Sequence, residues 1–222
     1  MVEREPSQAA DPGHVMSELL SIHPRNPQGR LISRAVAALR GGGVIAYPTD
    51  SCYALGCMIG DAGALERLRR IRGIDARHHL TLMCRDLADF GNYARLDNTN
   101  FRLLKTMTPG PYTFILHATR ELPRRVLHLN RKTIGVRIPD HAVAQALLAA
   151  LGEPLVSTTL SLPGDALPLD DPMEIHERLR NAVDAVIDSG PCGTVPTTVV
   201  DLTGANPVVI RVGNGAIEQL VR

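Results

Sequence analysis

One stretch constrains the fold more than any other: Gly41-Gly42-Gly43-Val44-Ile45-Ala46-Tyr47-Pro48-Thr49-Asp50-Ser51-Cys52-Tyr53-Ala54-Leu55-Gly56. A glycine stop precedes a short apolar run. A polar turn holding Thr49, Asp50 and Ser51 follows, and apolar residues resume at once with Tyr53, Ala54 and Leu55. An apolar run bounded by turn residues reads as a buried strand, here one that delivers hydroxyls and a carboxylate to one end of a sheet. Ligands of α/β proteins bind at such strand ends, so the stretch predicts a small-molecule pocket.

The flanking segments alternate in period. Asn26-Pro27 reads as an N-cap with proline at the first helical position, and Leu31, Ile32, Ala35, Val36 and Leu39 recur at helical spacing up to Gly41. Asp61 caps a second helix that buries Leu65, Leu68 and Ile71 and stops at Gly73. A third helix carries Phe101, Leu103 and Leu104. Asp140 is expected to cap a fourth, and Asp171-Pro172-Met173-Glu174 resembles a capping box opening a fifth. Strands are expected at 44–47, 80–84, 113–117, 133–138, 155–158, 185–187, 198–202 and 208–211. Interleaved helices and strands give an α/β class with a mixed sheet. Residues 1–15 are expected to be a disordered extension, and 16–222 a single domain.

The 222 residues suffice for one sizeable core, and the formal net charge of +1 excludes a polyelectrolyte binder as a whole. The charge is uneven. Arg67, Arg69, Arg70, Arg72, Arg77 and Arg85 form one basic cluster, and Arg120, Arg124, Arg125, Arg131, Lys132 and Arg137 a second. Such clusters suit a phosphate-bearing ligand or a local nucleic-acid patch, and equally two solvated faces. Aromatics at 3% with no tryptophan argue against an aromatic base-stacking platform. The four cysteines contain no CxxC pair, which disfavours structural zinc. With no signal peptide or membrane-length apolar run, the expectation is a cytoplasmic protein with free thiols and no membrane partner.

The chain carries no GxxxxGK[ST] loop, no GxGxxG, no GxSxG and no HExxH. His78-His79 are adjacent, and neighbours on a strand point to opposite faces, so a shared metal is disfavoured and no metal site is assigned. Cys52 and Cys84 read as buried inert thiols rather than nucleophiles. What remains is a set of hydroxyls and arginines at turns and strand ends: Ser51, Thr113, Arg137, Ser157-Thr158-Thr159-Leu160-Ser161, Thr197-Thr198 and Arg211. The set lacks an activated nucleophile and is rich in anion holders. That pattern fits phosphoryl or nucleotidyl transfer, where positioning and charge stabilisation supply most of the catalysis.

At these same segments the chain resembles the YrdC/YciO-like family, the threonylcarbamoyl-adenylate synthase superfamily. The carriers are Pro48 to Gly56, Thr108 to Phe114, Val136 to His141, Pro154 to Thr159 and Thr197 to Leu202, in order between about His23 and Gly213. The resemblance implies a twisted open α/β sheet with flanking helices and a large basic concavity. It also implies a synthase joining L-threonine, bicarbonate and ATP, with Mg²⁺, into threonylcarbamoyl-adenylate for tRNA modification. Some members bind double-stranded RNA, which makes tRNA or double-stranded RNA a candidate partner. By motif, Ser51, Arg137 and Thr197 are similar to threonine-side contacts, and Thr113, Thr159 and Arg211 to nucleotide-side contacts. Arg72 stands near the place of the family's phosphate lysine.

The pattern breaks in three places. The family's Lys-x-Arg falls on Arg72-Gly73-Ile74, its Ser-x-Asn falls on Thr159-Leu160-Ser161, and Cys84 stands for a threonine-side histidine. These departures resemble the YciO branch. They leave three expectations open: a synthase of altered efficiency or substrate, a non-catalytic RNA-binding module, and a nucleotide-dependent enzyme with another acceptor.

Overall fold

The computed structural model describes residues 16–128, 130–218 and 220. The expected disordered extension over residues 1–15 lies outside them. Ten strands form one mixed sheet: β1 (Glu18–Ser21), β2 (Ile45–Tyr47), β3 (Ala54–Met58), β4 (Thr81–Met83), β5 (Tyr112–His117), β6 (Thr133–Arg137), β7 (Leu155–Thr159), β8 (Ala185–Asp188), β9 (Thr198–Asp201) and β10 (Val208–Arg211). Their order across the sheet is β1-β8-β2-β3-β7-β4-β6-β5-β9-β10. β1 and β2 flank β8 in parallel, and β4 with β6 and β5 with β9 are also parallel. β3, β7 and β10 pair antiparallel. The α/β class and the mixed sheet stand as expected.

The six helices are α1 (Gly29–Arg40), α2 (Ala62–Arg72), α3 (Leu87–Tyr93), α4 (Asn98–Met107), α5 (Ala142–Leu151) and α6 (Pro172–Leu179). One sheet face packs on α2, α3, α4 and α6 through Leu65, Leu68, Phe90, Leu104, Met107, Ile175 and Leu179, against Leu82, Phe114, Val136 and Val156. The other packs on α1 and α5 through Ile32, Ala35, Leu39, Val143, Leu147 and Leu151, against Ile45, Tyr47, Met83 and Leu155. A twelve-residue helix is marginal in isolation. α1 is held by its four buried apolar side chains, of which each larger one contributes roughly 1.5–3 kcal/mol.

Asp61 caps α2 by accepting from the Ala64 N–H at 2.8 Å, and Gly73 ends it at φ 63°, as the sequence predicts. Other caps differ. The N-cap of α1 is the extended Gln28 rather than Asn26, whose N–H donates to His23 Nδ1 at 3.1 Å in the turn before the helix. His141, not Asp140, precedes α5. Its first turn is tied instead by Gln145 Nε2 donating to the Pro139 carbonyl at 2.9 Å. Asp171 caps α6, but the Glu174 carboxylate accepts from Arg178 rather than closing a capping box. β1, β3 and α3 have no counterpart among the predicted elements. α3 spans seven residues, two turns that show little periodicity, although Asp86 caps it.

α1 touches β1, β2, β3 and β8, so the helices on that face cover one half of the sheet. Over β4, β6, β5 and β9, the same face opens into a hollow.

Candidate functional site

The hollow encloses about 280 Å³, and its lining is drawn from the turn after β2, the turn before β4 and strands β3 to β7, β9 and β10. None of its lining residues belongs to a helix. It lies over a face of the sheet, with Thr81, Gly135 and Ser157 in register as its floor, rather than beyond the strand ends as the sequence suggests. Gly135 has a structural reason. A Cβ there would meet Thr113 Cγ2 and Thr81 Oγ1 at 3.0 Å, so any side chain would fill the floor.

The turn after β2 is built on Thr49. Its Oγ1 accepts from the backbone N–H groups of Ser51 at 3.2 Å and Cys52 at 3.3 Å, and donates to the Cys52 carbonyl at 2.6 Å. This hydroxyl-centred turn fixes Ser51 at the rim. Arg137, at the end of β6, donates from Nη2 to Thr49 Oγ1 at 3.3 Å and to Asp50 Oδ1 at 2.5 Å. Arg137 Nε and Asp50 Oδ2 are buried and have no protein partner. A buried charge pair with one free donor and one free acceptor can engage a ligand that carries both signs or a polarised acid.

Across the floor, Thr113 Oγ1 and Thr197 Oγ1 lie 2.9 Å apart. Arg211 donates from Nε and Nη2 to the Thr197 carbonyl at 3.2 and 2.9 Å, which aims the rest of its guanidinium at the hollow. Desolvation lowers the Arg211 pKa, yet the side chain remains a cation. Desolvation pushes the Cys52 thiol up to about 11, while the charges of Arg137 and Arg211 pull the other way. Cys52 feels both guanidiniums, and the neutral thiol is no nucleophile at neutral pH.

The structure thus brings Ser51, Thr113, Arg137, Thr159, Thr197 and Arg211 together around one cavity. Three expected residues fall elsewhere. Cys84 is fully buried in the core on the opposite sheet face, with its Sγ 3.7 Å from the Leu82 carbonyl. Side chains alternate along a strand, and in β4 it is Thr81 and Met83 that face the hollow. Cys84 is therefore corrected from a threonine-side contact to a core thiol. Arg72 and Ser161 do not line the cavity either. Both are half-buried beside it. They sit on two segments that touch, since a Cβ at Gly73 would meet Pro163 Cγ at 2.7 Å. Ile74 packs against the apolar core.

Sequence reasoning missed Asp50 as the partner of Arg137 and Tyr47, whose hydroxyl lies 2.7 Å from Ser157 Oγ. It also set aside His78 and His79 by treating them as strand neighbours. Both lie on the turn between α2 and β4, where alternation does not hold, and both line the hollow with Arg77. His79 stacks on His128 at a centroid distance of 4.3 Å, and its Nε2 lies 3.2 Å from Thr133 Oγ1. Among the described residues, no group of three or more His, Cys, Asp or Glu side chains is arranged to hold a metal ion, and no helix is long and apolar enough to cross a membrane.

The family model Sua5_yciO_yrdC, described as "Telomere recombination", matches residues 37–213. The chain is 55% identical to the uncharacterized protein YciO of Escherichia coli K12 over 203 residues, covering 91% of this chain and 98% of that one. The crystal structure of E. coli YciO superposes with a TM-score of 0.90, over 93% of this chain and all of the other. A threonylcarbamoyl-AMP synthase of Thiobacillus denitrificans is 39% identical over 171 residues, 75% of this chain and 88% of that one. The crystal structure of P. abyssi Sua5 complexed with L-threonine aligns at 26% identity and a TM-score of 0.82, covering 89% of this chain and 58% of that one.

Proposed function

The chain belongs to the Sua5–YciO–YrdC family, and from that premise we propose that its hollow binds ATP with L-threonine and bicarbonate and forms a carbamoyl-type adenylate, releasing pyrophosphate. One observation carries this reading: two guanidiniums and four hydroxyls from separate segments, Arg137 and Arg211 with Ser51, Thr113, Thr159 and Thr197, face a single cavity. Relatives named threonylcarbamoyl-AMP synthase and the threonine complex of P. abyssi Sua5 support it.

The chemistry asks for what the hollow offers. The neutral amine of threonine captures carbon dioxide derived from bicarbonate, giving a carbamate and losing one proton to solvent. A carbamate oxygen attacks the α-phosphorus, the bond to the β-phosphate bridge oxygen breaks, and pyrophosphate leaves. No protein nucleophile takes part, in keeping with the high Cys52 pKa. Arg137 with Ser51 and Thr197 would hold the amino acid, and Arg211 with Thr113 and Thr159 the phosphates. The cavity volume of about 280 Å³ lies near the lower end of small-molecule sites, so the adenosine would rest at the mouth. Magnesium would arrive on the nucleotide, held by phosphate oxygens and water.

The test is pyrophosphate release from MgATP and bicarbonate, with threonine and then a panel of other amino acids. Threonine-dependent release above background is expected. Release with another amino acid alone assigns a different acceptor, and no amino-acid dependence overturns the synthase reading.

A second reading has its own observation. Arg69 Nη2 donates to the Arg125 carbonyl at 2.6 Å, so the two basic clusters of the sequence meet. Arg70, Arg120, Arg124, Arg125, Arg131 and Lys132 are exposed. A double-stranded RNA or tRNA surface there would bind with affinity falling steeply as salt rises. Salt-independent or absent binding rejects it.

A further inference from the structure

His78 stands on the turn that leaves α2 and enters β4, and it lines the hollow together with Arg77 and Arg211. The turn is pinned locally. Asp75 Oδ1 accepts from the Arg77 N–H at 2.8 Å, and the His78 N–H donates to the Asp75 carbonyl at 3.2 Å. Arg72, at the end of α2, and Arg211, at the end of β10, both act on the imidazole electrostatically. Asp75 opposes them from within the turn, and Arg77 and His79 flank it.

The surroundings explain what such a group can do. Ile74 sits where the resemblance places a phosphate-binding arginine, and its side chain packs into the core rather than toward the cavity. Four residues on, His78 is exposed at the mouth. Partial desolvation, then the Arg72 and Arg211 charges, lower its imidazole pKa from the usual histidine value and so favour the neutral form in the free protein. An entering polyphosphate would neutralise the field of the two arginines and add negative charge of its own. Both changes favour imidazolium.

We propose that His78 is the ligand-dependent cation of this hollow: it takes a proton from solvent as a polyphosphate enters and completes, with Arg77 and Arg211, a three-cation clamp around it. The proposal rests on the reading of the hollow as a nucleotide site, and it adds a proton to the binding equilibrium. Affinity then rises as pH falls between the pKa of the bound form and that of the free form, by at most about tenfold per pH unit.

The experiment follows the imidazole Cε1–H resonance of His78, identified by its loss in His78→Gln, from about pH 5 to about pH 9. The titration is run free, with saturating MgATP and with inorganic pyrophosphate. The expected result is a rise in the His78 pKa of about one unit or more on saturation. His78→Gln should lose the pH dependence of nucleotide affinity, and His78→Lys should bind with an affinity that no longer varies with pH in that range. Binding of MgATP with an unmoved His78 resonance overturns the clamp and leaves the adenylation reading standing. Pyrophosphate moving the resonance while MgATP binds no better than pyrophosphate supports the clamp and counts against the adenylate reading. If neither ligand moves the resonance or binds, both fall.

Discussion

Arg137 and Asp50 form a buried ion pair, Nη2 to Oδ1 at 2.5 Å, between the last residue of β6 and the turn after β2, with side chains 7% and 11% exposed. The two segments are not neighbours in the sheet: β3, β7 and β4 lie between their strands. The pair therefore ties the rim of the hollow across three strands and positions the guanidinium for a ligand at the same time.

Removing one partner of such a pair leaves a buried charge uncompensated. Arg137→Ala should cost about 3–5 kcal/mol of stability, read as a fall in denaturant midpoint at unchanged m. Asp50→Asn with Arg137→Met should recover part of that loss. A single-variant cost near zero would mean that solvent reaches the pair.

Thr113 and Thr197 share a hydrogen bond of 2.9 Å on the floor, and Thr197 also carries Arg211. A double-mutant cycle with Thr113→Val and Thr197→Val should show a coupling of about 0.5–1.5 kcal/mol in stability. Thr197→Val should also weaken threonine binding in calorimetry. Additive variants would disconnect the two hydroxyls.

Cys84 lies beneath the sheet, away from the hollow. Cys84→Ala is expected to lower stability by about 1 kcal/mol and to leave threonine affinity unchanged. A loss of threonine affinity of about tenfold would return this residue to the site.

His79 is pushed down to about 4, first by desolvation, then by the neighbouring charges of His128, Arg131 and His78. Below the unfolded value of about 6.5, the unfolded chain binds a proton that the folded chain refuses. Stability is therefore flat above that pH on this group's account and is lost as pH falls toward 4. His79→Gln should shallow the acid limb of the stability–pH curve. An identical limb would assign the acid sensitivity to other groups.

Gly73 combines φ 63° with a Pro163 ring 2.7 Å from where a Cβ would stand. Gly73→Ala should destabilise by about 1 kcal/mol or more, and it should weaken nucleotide binding by shifting the following turn, which carries Arg77 and His78 to the hollow. Thermal melts and calorimetry read the two effects. Unchanged nucleotide affinity would separate that turn from the site.

Local physics made much of this protein legible in its sequence. Apolar runs bounded by glycine and proline marked the central strands, Asp61 and Gly73 bounded α2, and the hydroxyl and arginine residues at turns named most of the polar part of the cavity lining. Signals shorter than a full period were lost: four-residue β1 and two-turn α3 carry too few residues to show one. The side of the sheet on which a residue lies was settled by packing. Strand alternation places Met83 and Cys84 on opposite faces, but the pattern does not say which face holds the hollow. That was decided when α1, with α5 beside it, settled over β1, β8, β2 and β3, leaving the hollow open on the same face along β4, β6, β5 and β9. The strand order that brings Arg137 to Asp50 likewise depends on contacts between residues distant in the chain, which no local pattern encodes.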